Sequence, residues 1–312
     1  MAKICPSCAY ERKENDLVAD YECPQCGIIY AKYSGNNKKP DKSPKPIKAK
    51  KSKINWGFWR IGFLLIILLI VGEMAISNES RISKWFAPAV VAVHIIAADD
   101  SPNTAQFIDS INIDSFLGLE WFFTRNAQLH EFALENPIKL HIIDKKLYTH
   151  PPIPPKQPNI FTAIFWSLHM RFWASGIEYS KELNPDIQLF LLYHDPEITN
   201  RVPHSFGLKK GRIGVANLFA SHDMSASNKV IIVHELLHTL GATDKYNPAN
   251  NMPSYPDGYA EPNKNPLYPQ VRGEIMGGRI PISSTEATIP FGLSQMDIGS
   301  ATAKEIYWIN GQ

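Results

Sequence analysis

The stretch KVIIVHELLHTLGATD, residues 229–244, decides the fold, because it joins an apolar run to a turn and carries two histidines four positions apart. The apolar run predicts a buried helix over residues 229–240. Gly241 suits the left-handed conformation that commonly ends a helix. On that helix His234 and His238 lie on one face, so both imidazoles can reach one metal ion.

The residues around the two histidines predict a catalytic zinc site. Glu235 follows the first histidine and can act as general base toward water on the metal, since zinc lowers the pKa of that water. The turn can bring Asp244 back as a third ligand, which leaves the fourth position open, as catalysis requires. A bare His-Glu-x-x-His pattern arises by chance in roughly one chain of this length in a hundred, so the extension to Asp244 carries weight.

The pattern His-Glu-x-x-His-x-x-Gly-x-x-Asp resembles the metzincin metallopeptidases, in the variant where Asp replaces the usual third His. Snapalysin and the immune inhibitor A peptidases are similar, and the latter share the Asp-x-Tyr ending seen here at Asp244 and Tyr246. The resemblance covers residues 187–280. It implies a zinc endopeptidase with Glu235 as base and an α+β fold, in which helices and a twisted mixed sheet form an upper subdomain above a less regular lower one.

Metzincins also have a methionine turn beneath the zinc. The sequence EIMGG, residues 274–278, resembles that turn and assigns its role to Met276. The tyrosine that usually stands two residues after the methionine is replaced here by Gly278. Tyr246 and Tyr259 are therefore the candidates for a hydroxyl that stabilises the oxyanion.

All four cysteines lie near the N-terminus, at Cys5, Cys8, Cys23 and Cys26, in two Cys-x-x-Cys pairs. Two such pairs at this separation can place four thiolates around one structural zinc, and residues 1–33 resemble a zinc ribbon. So short a segment cannot bury a sufficient core, so the metal would supply the folding energy. The alternatives are two disulfides or a redox pair.

The next two segments predict a membrane anchor. Residues 34–53 hold eight lysines and almost no apolar residue, which indicates a solvated linker. Residues 54–76 are apolar and predict one transmembrane helix, with Arg60 and Glu73 bracketing an uncharged centre. A signal peptide and a buried core helix are the alternatives. The lysines before the span predict a cytoplasmic N-terminus and place the following domain in the periplasm or outside the cell.

Residues 77–312 have the size of one domain with mixed secondary structure. The apolar patterns predict four strands, at residues 90–97, 138–143, 187–193 and 212–219. Helical spacing at residues 114–131 and an aromatic-rich run at 161–175 predict two helices before the metal helix, the second of them buried. His194 and Asp195 follow a strand and are the alternative candidates for a second metal site.

These features favour a membrane-anchored zinc endopeptidase with one catalytic and one structural Zn²⁺. Its expected partners are a protein or peptide substrate, membrane lipid around the span, and a cytosolic protein docked on the zinc ribbon. A net charge of only +2 argues against nucleic acid as a partner. The alternatives are a non-enzymatic binding protein with a degenerate peptidase fold, and a zinc hydrolase acting on a non-peptide amide. No ligand spacing predicts a calcium site.

Overall fold

The structure is a computed structural model and describes residues 3–33, 59–69, 84–144, 150–155, 157, 159–177 and 183–309. The chain divides into two compact units, Met1–Arg60 and Ile61–Gln312. In the first unit two short turns are each closed by a β-bridge, Ile4 with Glu11 and Glu22 with Ile29. A 3-10 turn, Tyr30–Lys32, follows them.

The second unit is built on a five-stranded sheet. Its strands are β1 (Ala89–Ala97), β2 (Ile138–Asp144), β3 (Ile187–His194), β4 (Phe206–Leu208) and β5 (Ile213–Phe219), in the order β2-β1-β3-β5-β4. Strands β1, β2, β3 and β5 run parallel, and β4 at the edge pairs antiparallel with β5. The central strands are predominantly apolar and largely buried because helices cover both faces of the sheet.

Helices lie on the two faces in unequal number. On one face α2 (Pro102–Ser110), α3 (Leu117–Leu129) and α5 (Ser225–Leu240) share a core with alternate residues of the strands, such as Val91 and Leu189. On the other face α4 (Ile160–Ser175) packs against Phe190 and Val215. Side chains alternate between the faces along a strand, so each face receives its own core.

The chain after α5 is less regular. Three two-stranded pairs follow: β6 (Tyr246–Asn247) with β7 (Met252–Pro253), β8 (Gly273–Glu274) with β11 (Met296–Asp297), and β9 (Ile280–Pro281) with β10 (Ala287–Thr288). A short helix, α6 (Ser300–Glu305), ends the described chain. Its neighbours Ile306 and Trp308 pack into the main core. This region contacts α5 through the hydrogen bond between Ile275 O and His234 Nδ1.

The α+β class with a mixed sheet is confirmed, and all four predicted strands are present within one residue of their expected starts. The predicted helix over 114–131 is divided into a 3-10 turn, Ile113–Phe116, and α3. The metal helix α5 begins four residues earlier than predicted, at Ser225 rather than 229. The prediction that the helix over 161–175 is buried is wrong, since only Met170 and Ala174 of α4 are buried.

The predicted transmembrane helix over residues 54–76 is also wrong. No helix among the described residues is both long enough and apolar enough to cross a membrane. Residues 59–69 are helical (α1), and 11 residues at 1.5 Å each span about 16 Å, against about 30 Å of hydrocarbon. The remaining parts of 54–76, like the predicted linker 34–53, lie outside the described residues. The prediction of a single-pass topology, with a cytoplasmic N-terminus and an external domain, depended on that span and is therefore also wrong.

Candidate metal and active site

Two groups of metal-ligating side chains are brought together within the described part of the chain. One is Cys5, Cys8, Cys23 and Cys26; the other is His234, His238 and Asp244. In each group the candidate ligand atoms all lie within 4.8 Å of one another. Either group could hold a metal ion, and together they contain all seven residues predicted as ligands.

The two cysteine turns repeat one backbone pattern. The amide of Cys5 donates to Tyr10 O at 2.9 Å, and the amide of Cys23 donates to Ile28 O at 2.9 Å. The residue after the second cysteine of each turn takes a positive φ, 60° at Ala9 and 72° at Gly27. Two equivalent turns therefore present two thiols each toward a common centre.

The sulfur positions fit a tetrahedral metal site. Cys5 Sγ lies 3.6 Å from Cys26 Sγ, and Cys8 Sγ lies 3.6 Å from Cys23 Sγ. A disulfide needs about 2.05 Å, so the disulfide interpretation is wrong and all four cysteines are free. Zinc–sulfur bonds of about 2.3 Å at tetrahedral angles separate the sulfurs by about 3.8 Å, which is close to the observed spacing.

The second group converges more tightly. His234 Nε2 lies 3.1 Å from His238 Nε2 and 3.1 Å from Asp244 Oδ1, while His238 Nε2 lies 3.2 Å from the same carboxylate oxygen. Bonds of about 2.0–2.1 Å to one tetrahedral zinc would separate such atoms by about 3.3 Å. The three side chains therefore already stand close to the spacing that one zinc ion requires.

Backbone carbonyls fix the tautomer of both histidines. His234 Nδ1 donates to Ile275 O at 3.0 Å, and His238 Nδ1 donates to Ala242 O at 2.8 Å. Each neutral imidazole consequently carries its proton on Nδ1 and turns the lone pair of Nε2 toward the shared point. Two nitrogen lone pairs and a carboxylate thus face one another, an arrangement that a cation between them would stabilise.

The pKa values of this group show that Asp244 attracts positive charge, whether as a proton on His234 Nε2 or as a cation between the three side chains. Burial alone would lower the pKa of His234, but the hydrogen bond with Asp244 and the nearby Glu235 raise it overall. Burial alone would raise the pKa of Asp244, but the contacts with His234 and His238 hold it well below its usual range. The site therefore favours a deprotonated carboxylate and a cationic neighbour.

The turn at the end of α5 positions Asp244, the third residue of this group, beside the two histidines. Gly241 has φ 112°, and its amide and that of Ala242 both donate to Leu237 O, at 3.1 and 3.0 Å. Only glycine adopts this conformation without strain, so the turn depends on it. The reversal places Ala242 O against His238 and carries Asp244 back to the histidines, as the sequence predicted.

Glu235 lies beside the ligands without being one of them. Its side chain is only 6% exposed, and Oε2 has no hydrogen-bond partner among the described residues. Burial raises the pKa of Glu235 to about 7. Glu235 and His234 border a cavity of about 360 Å³ that is also lined by His204, Asn217 and Gly278. Oε2 itself is buried and unpaired, and another part of Glu235 borders the cavity.

The predicted methionine turn lies against the histidines. Met276 is fully buried, and Ile275 supplies the carbonyl that binds His234. The turn is held from below by Glu274, a fully buried carboxylate that accepts hydrogen bonds from Gly277 N at 2.8 Å and Thr302 Oγ1 at 2.6 Å. Burial raises the pKa of Glu274. The sequence patterns gave no sign of the roles of Ile275 and Glu274.

The two candidate tyrosines differ in position. The ring of Tyr246 lies 6.4 Å from the ring of His234, and the side chain is partly exposed. Burial raises the pKa of Tyr246, so its hydroxyl stays protonated at neutral pH. Tyr259 is 4% exposed and its hydroxyl pairs with that of Tyr268 at 2.8 Å. Tyr246 is therefore the tyrosine placed beside the metal group.

Gly207 is a further site residue that the sequence did not single out. A Cβ at this position would lie 2.5 Å from Glu235 O and 2.5 Å from His238 Cβ. The edge strand β4 therefore runs directly against the part of α5 that carries the ligands. A glycine between Phe206 and Leu208 was the available signal, since glycine inside a strand often marks a close backbone approach.

His194 and Asp195 do not form the alternative second metal site. His194 Nε2 pairs with Asn217 Oδ1 at 2.9 Å, whereas Asp195 Oδ2 accepts from Asn103 Nδ2 at 3.1 Å and from Ser101. Neither residue belongs to a group of three converging ligands in the described ranges. Both side chains serve the local structure at the end of β3.

Comparison with known proteins gives no relative: no protein-family model, curated protein or solved structure matches the chain. The function is therefore inferred from the side chains themselves. The two convergent ligand groups, the unpaired carboxylate and the cavity beside it are the features available for that inference.

Proposed function

We propose that the second unit is a zinc-dependent endopeptidase of the metzincin type, which hydrolyses peptide bonds in protein or peptide substrates. One observation carries the proposal. The lone pairs of His234 and His238 and the carboxylate of Asp244 converge within 3.2 Å, next to the unpaired carboxylate of Glu235. A structural role alone gives no reason to bring these four groups together around a buried Glu235.

The donor set fits zinc better than other common metal ions. Two imidazoles and one carboxylate are ligands of catalytic zinc sites, whereas calcium and magnesium prefer oxygen alone. Zinc bound here would polarise the scissile carbonyl and make water more acidic. The chain's own contribution is to hold His234 and His238 in one tautomer and to leave one side of the group open to the cavity.

Glu235 is proposed as the proton carrier. Its carboxylate would accept a proton from the attacking water and pass it to the nitrogen of the leaving amine. A pKa near 7, raised by burial, suits a group that must take up and release a proton in one cycle. We assign the Tyr246 hydroxyl, partly exposed beside His234, to stabilise the oxyanion.

The edge strand β4 favours a peptide substrate over the non-peptide amide. One side of β4 pairs with β5, and no strand of the described sheet pairs with the other side. An extended peptide can add to a free strand edge through main-chain hydrogen bonds. Because Gly207 of β4 lies against Glu235, such a peptide would pass close to the proposed base.

For the first unit we propose a structural Zn²⁺ held by Cys5, Cys8, Cys23 and Cys26, within a module that docks a protein partner. The 3.6 Å sulfur pairs and the two equivalent turns support the metal assignment. A closed set of four thiolates leaves no position for a substrate, so the unit would have no chemistry of its own. The alternative function for the whole chain is a binding protein without enzymatic activity.

The full chain loaded with zinc and an unfolded casein-type substrate tests the proposal. Wild type is expected to hydrolyse the substrate, and Glu235→Ala to lower kcat by about 100-fold or more while keeping its zinc. Glu286→Ala, which changes an exposed carboxylate, serves as the matched control and is expected to keep full activity. Equal hydrolysis by Glu235→Ala would remove the assignment, and no hydrolysis by wild type would favour the binding protein.

A further inference from the structure

Helix α4 presents an apolar outer face that the fold does not use. Met170 and Ala174 are fully buried against the sheet, where they join Phe190 and Ile213. An Asn159–Thr162 capping box fixes the start of the helix. The sheet therefore covers only a narrow stripe of a helix that is apolar on nearly every side.

The uncovered side carries large hydrophobic residues in a continuous stripe. Exposed fractions are 79% for Phe172, 75% for Phe165, 73% for Phe161 and 71% for Ile160. Ile164 and Leu168 fill the positions between them, so the stripe covers an arc of about 140° at 100° per residue. Exposed apolar patches of this kind on a folded domain mark interaction sites.

The stripe itself contains one charged residue, and it is positive. Arg171 is the only charged residue of α4, which contains no Asp or Glu. The stem of Arg171 packs against Gly211, since a Cβ there would lie 3.1 Å from Arg171 Cγ. Lys210, the exposed residue before Gly211, lies at the same end of the helix, whereas Lys209 Nζ lies over the ring of Tyr307, 5.6 Å from its centroid. Cations at the margin of an apolar face are complementary to anionic lipid headgroups.

Lipid fits this face better than a protein partner does. A protein interface carries about one hydrogen bond per 100–200 Å², so its surface mixes polar groups into the contact. The outer stripe of α4 contains Arg171 and Ser175 among its six large hydrophobic side chains, and the exposed Thr162 and His169 lie at its edge. A stripe of large hydrophobic side chains with cations at one end is typical of a helix that lies in the plane of a bilayer surface.

We propose that the outer face of α4 binds the surface of an anionic lipid bilayer, with the helix lying flat in the headgroup region. Met170 and Ala174 fix the C-terminal half of α4 to the sheet, so the helix lies on the surface and does not cross it. Phe161, Phe165 and Phe172 enter the acyl boundary, while Arg171 and Lys210 contact phosphate groups.

The proposed lipid surface lies next to the candidate active site. Trp166 of α4 packs edge-on against Phe206 of β4, with ring centroids 4.9 Å apart. The neighbouring residue, Gly207, lies against the α5 backbone at Glu235. Lipid binding through α4 would thus hold the free edge of β4 near the bilayer surface. The lipid proposal itself does not depend on peptidase activity.

Vesicle cosedimentation of the full chain tests the proposal. Helix α1 is also apolar and exposed, so the assay uses a background in which Leu64, Leu65 and Leu68 are changed to serine. We expect this protein to bind phosphatidylglycerol-containing vesicles and to bind pure phosphatidylcholine vesicles more weakly. Adding Phe161→Ser, Phe165→Ser and Phe172→Ser is expected to weaken binding by about 10-fold or more.

A matched control changes two exposed hydrophobic residues elsewhere, Ile289→Ser and Phe291→Ser, and is expected to leave vesicle binding unchanged. Circular dichroism and zinc content verify that each variant is folded. Three results would overturn the proposal: no vesicle binding by the background protein, unchanged binding after the three α4 substitutions, or an equal loss in the control. Sedimentation velocity can give a fourth contradicting result. If the protein forms a dimer that the α4 substitutions dissociate while vesicle binding persists, the face binds a second copy of the chain.

Discussion

His234 Nδ1 donates to the carbonyl oxygen of Ile275 across 3.0 Å, and this bond joins the metal helix to the turn that carries Met276. The bond sets the tautomer of His234 and therefore points its Nε2 at the proposed metal position. A second tie runs in parallel, since Lys245 N donates to Met276 O at 2.9 Å. The lower region thus orients both the first ligand and the segment that carries Asp244.

Gly207→Ala should damage the candidate active site through packing alone. The added Cβ would stand 2.5 Å from Glu235 O, so β4 must move away from α5. We expect a loss of about 1–3 kcal/mol in the free energy of unfolding, as for other overpacked sites, and reduced hydrolysis. Gly176→Ala, where the nearest atom is at 3.4 Å, is the control. Urea unfolding measures both variants, and equal stability of the two would refute the close contact.

Tyr246→Phe separates the two candidate tyrosines. Loss of the hydroxyl beside His234 should lower kcat by about 10- to 100-fold without changing zinc content, because one donor to the oxyanion disappears. Tyr259→Phe removes a hydroxyl that pairs with Tyr268 and should leave kcat close to wild type. Steady-state kinetics on a peptide substrate decides the matter. The reverse pattern would transfer the role to Tyr259.

Asp195 makes part of the stability dependent on acid pH. Hydrogen bonds from Ser101, the Glu197 amide and Asn103 hold the pKa of Asp195 below its ordinary 3.8. A lowered carboxyl pKa contributes stability above pH 3.8 that is lost as the pH falls through the folded-state value. Asp195→Asn should therefore lose less stability than wild type between about pH 5 and pH 2, measured by thermal unfolding. Parallel pH profiles would contradict this.

Cys5→Ser should affect the first unit alone. Removing one thiolate of four leaves an incomplete zinc site, and a unit with few buried apolar residues needs the metal to fold. We expect the variant to lose one zinc and to expose residues 3–33 to limited proteolysis. Hydrolysis by the second unit should continue unchanged. If the variant lost hydrolysis as well as the zinc ion of the first unit, the two units would have to function together.

The local patterns predicted what local chemistry decides. The helical spacing of His234 and His238, the left-handed turn at Gly241 and the paired cysteines are set by neighbours in sequence, and the structure has them as expected. Ile275 and Glu274 were missed because their roles depend on backbone groups that meet only after the chain has folded. The sequence does not show which donor a given backbone carbonyl will bind in the folded protein.

The apolar segments were the least predictable. Residues 54–76 were expected to span a membrane and α4 was expected to be buried, yet neither prediction holds. The two errors differ in cause: the helix described at residues 59–69 is too short to span a membrane, whereas in α4 a segment that is apolar on every side has no periodicity to indicate which face is covered. Its surroundings are then set by what the rest of the fold, or a partner, places against it.

Zinc content of the full chain tests the central claim, that His234, His238 and Asp244 form a second, catalytic zinc site. After dialysis against zinc-free buffer, we expect two zinc ions per wild-type chain and one in His238→Ala, because the four cysteines keep theirs. A single zinc in the wild type, or two still present in His238→Ala, would contradict the claim.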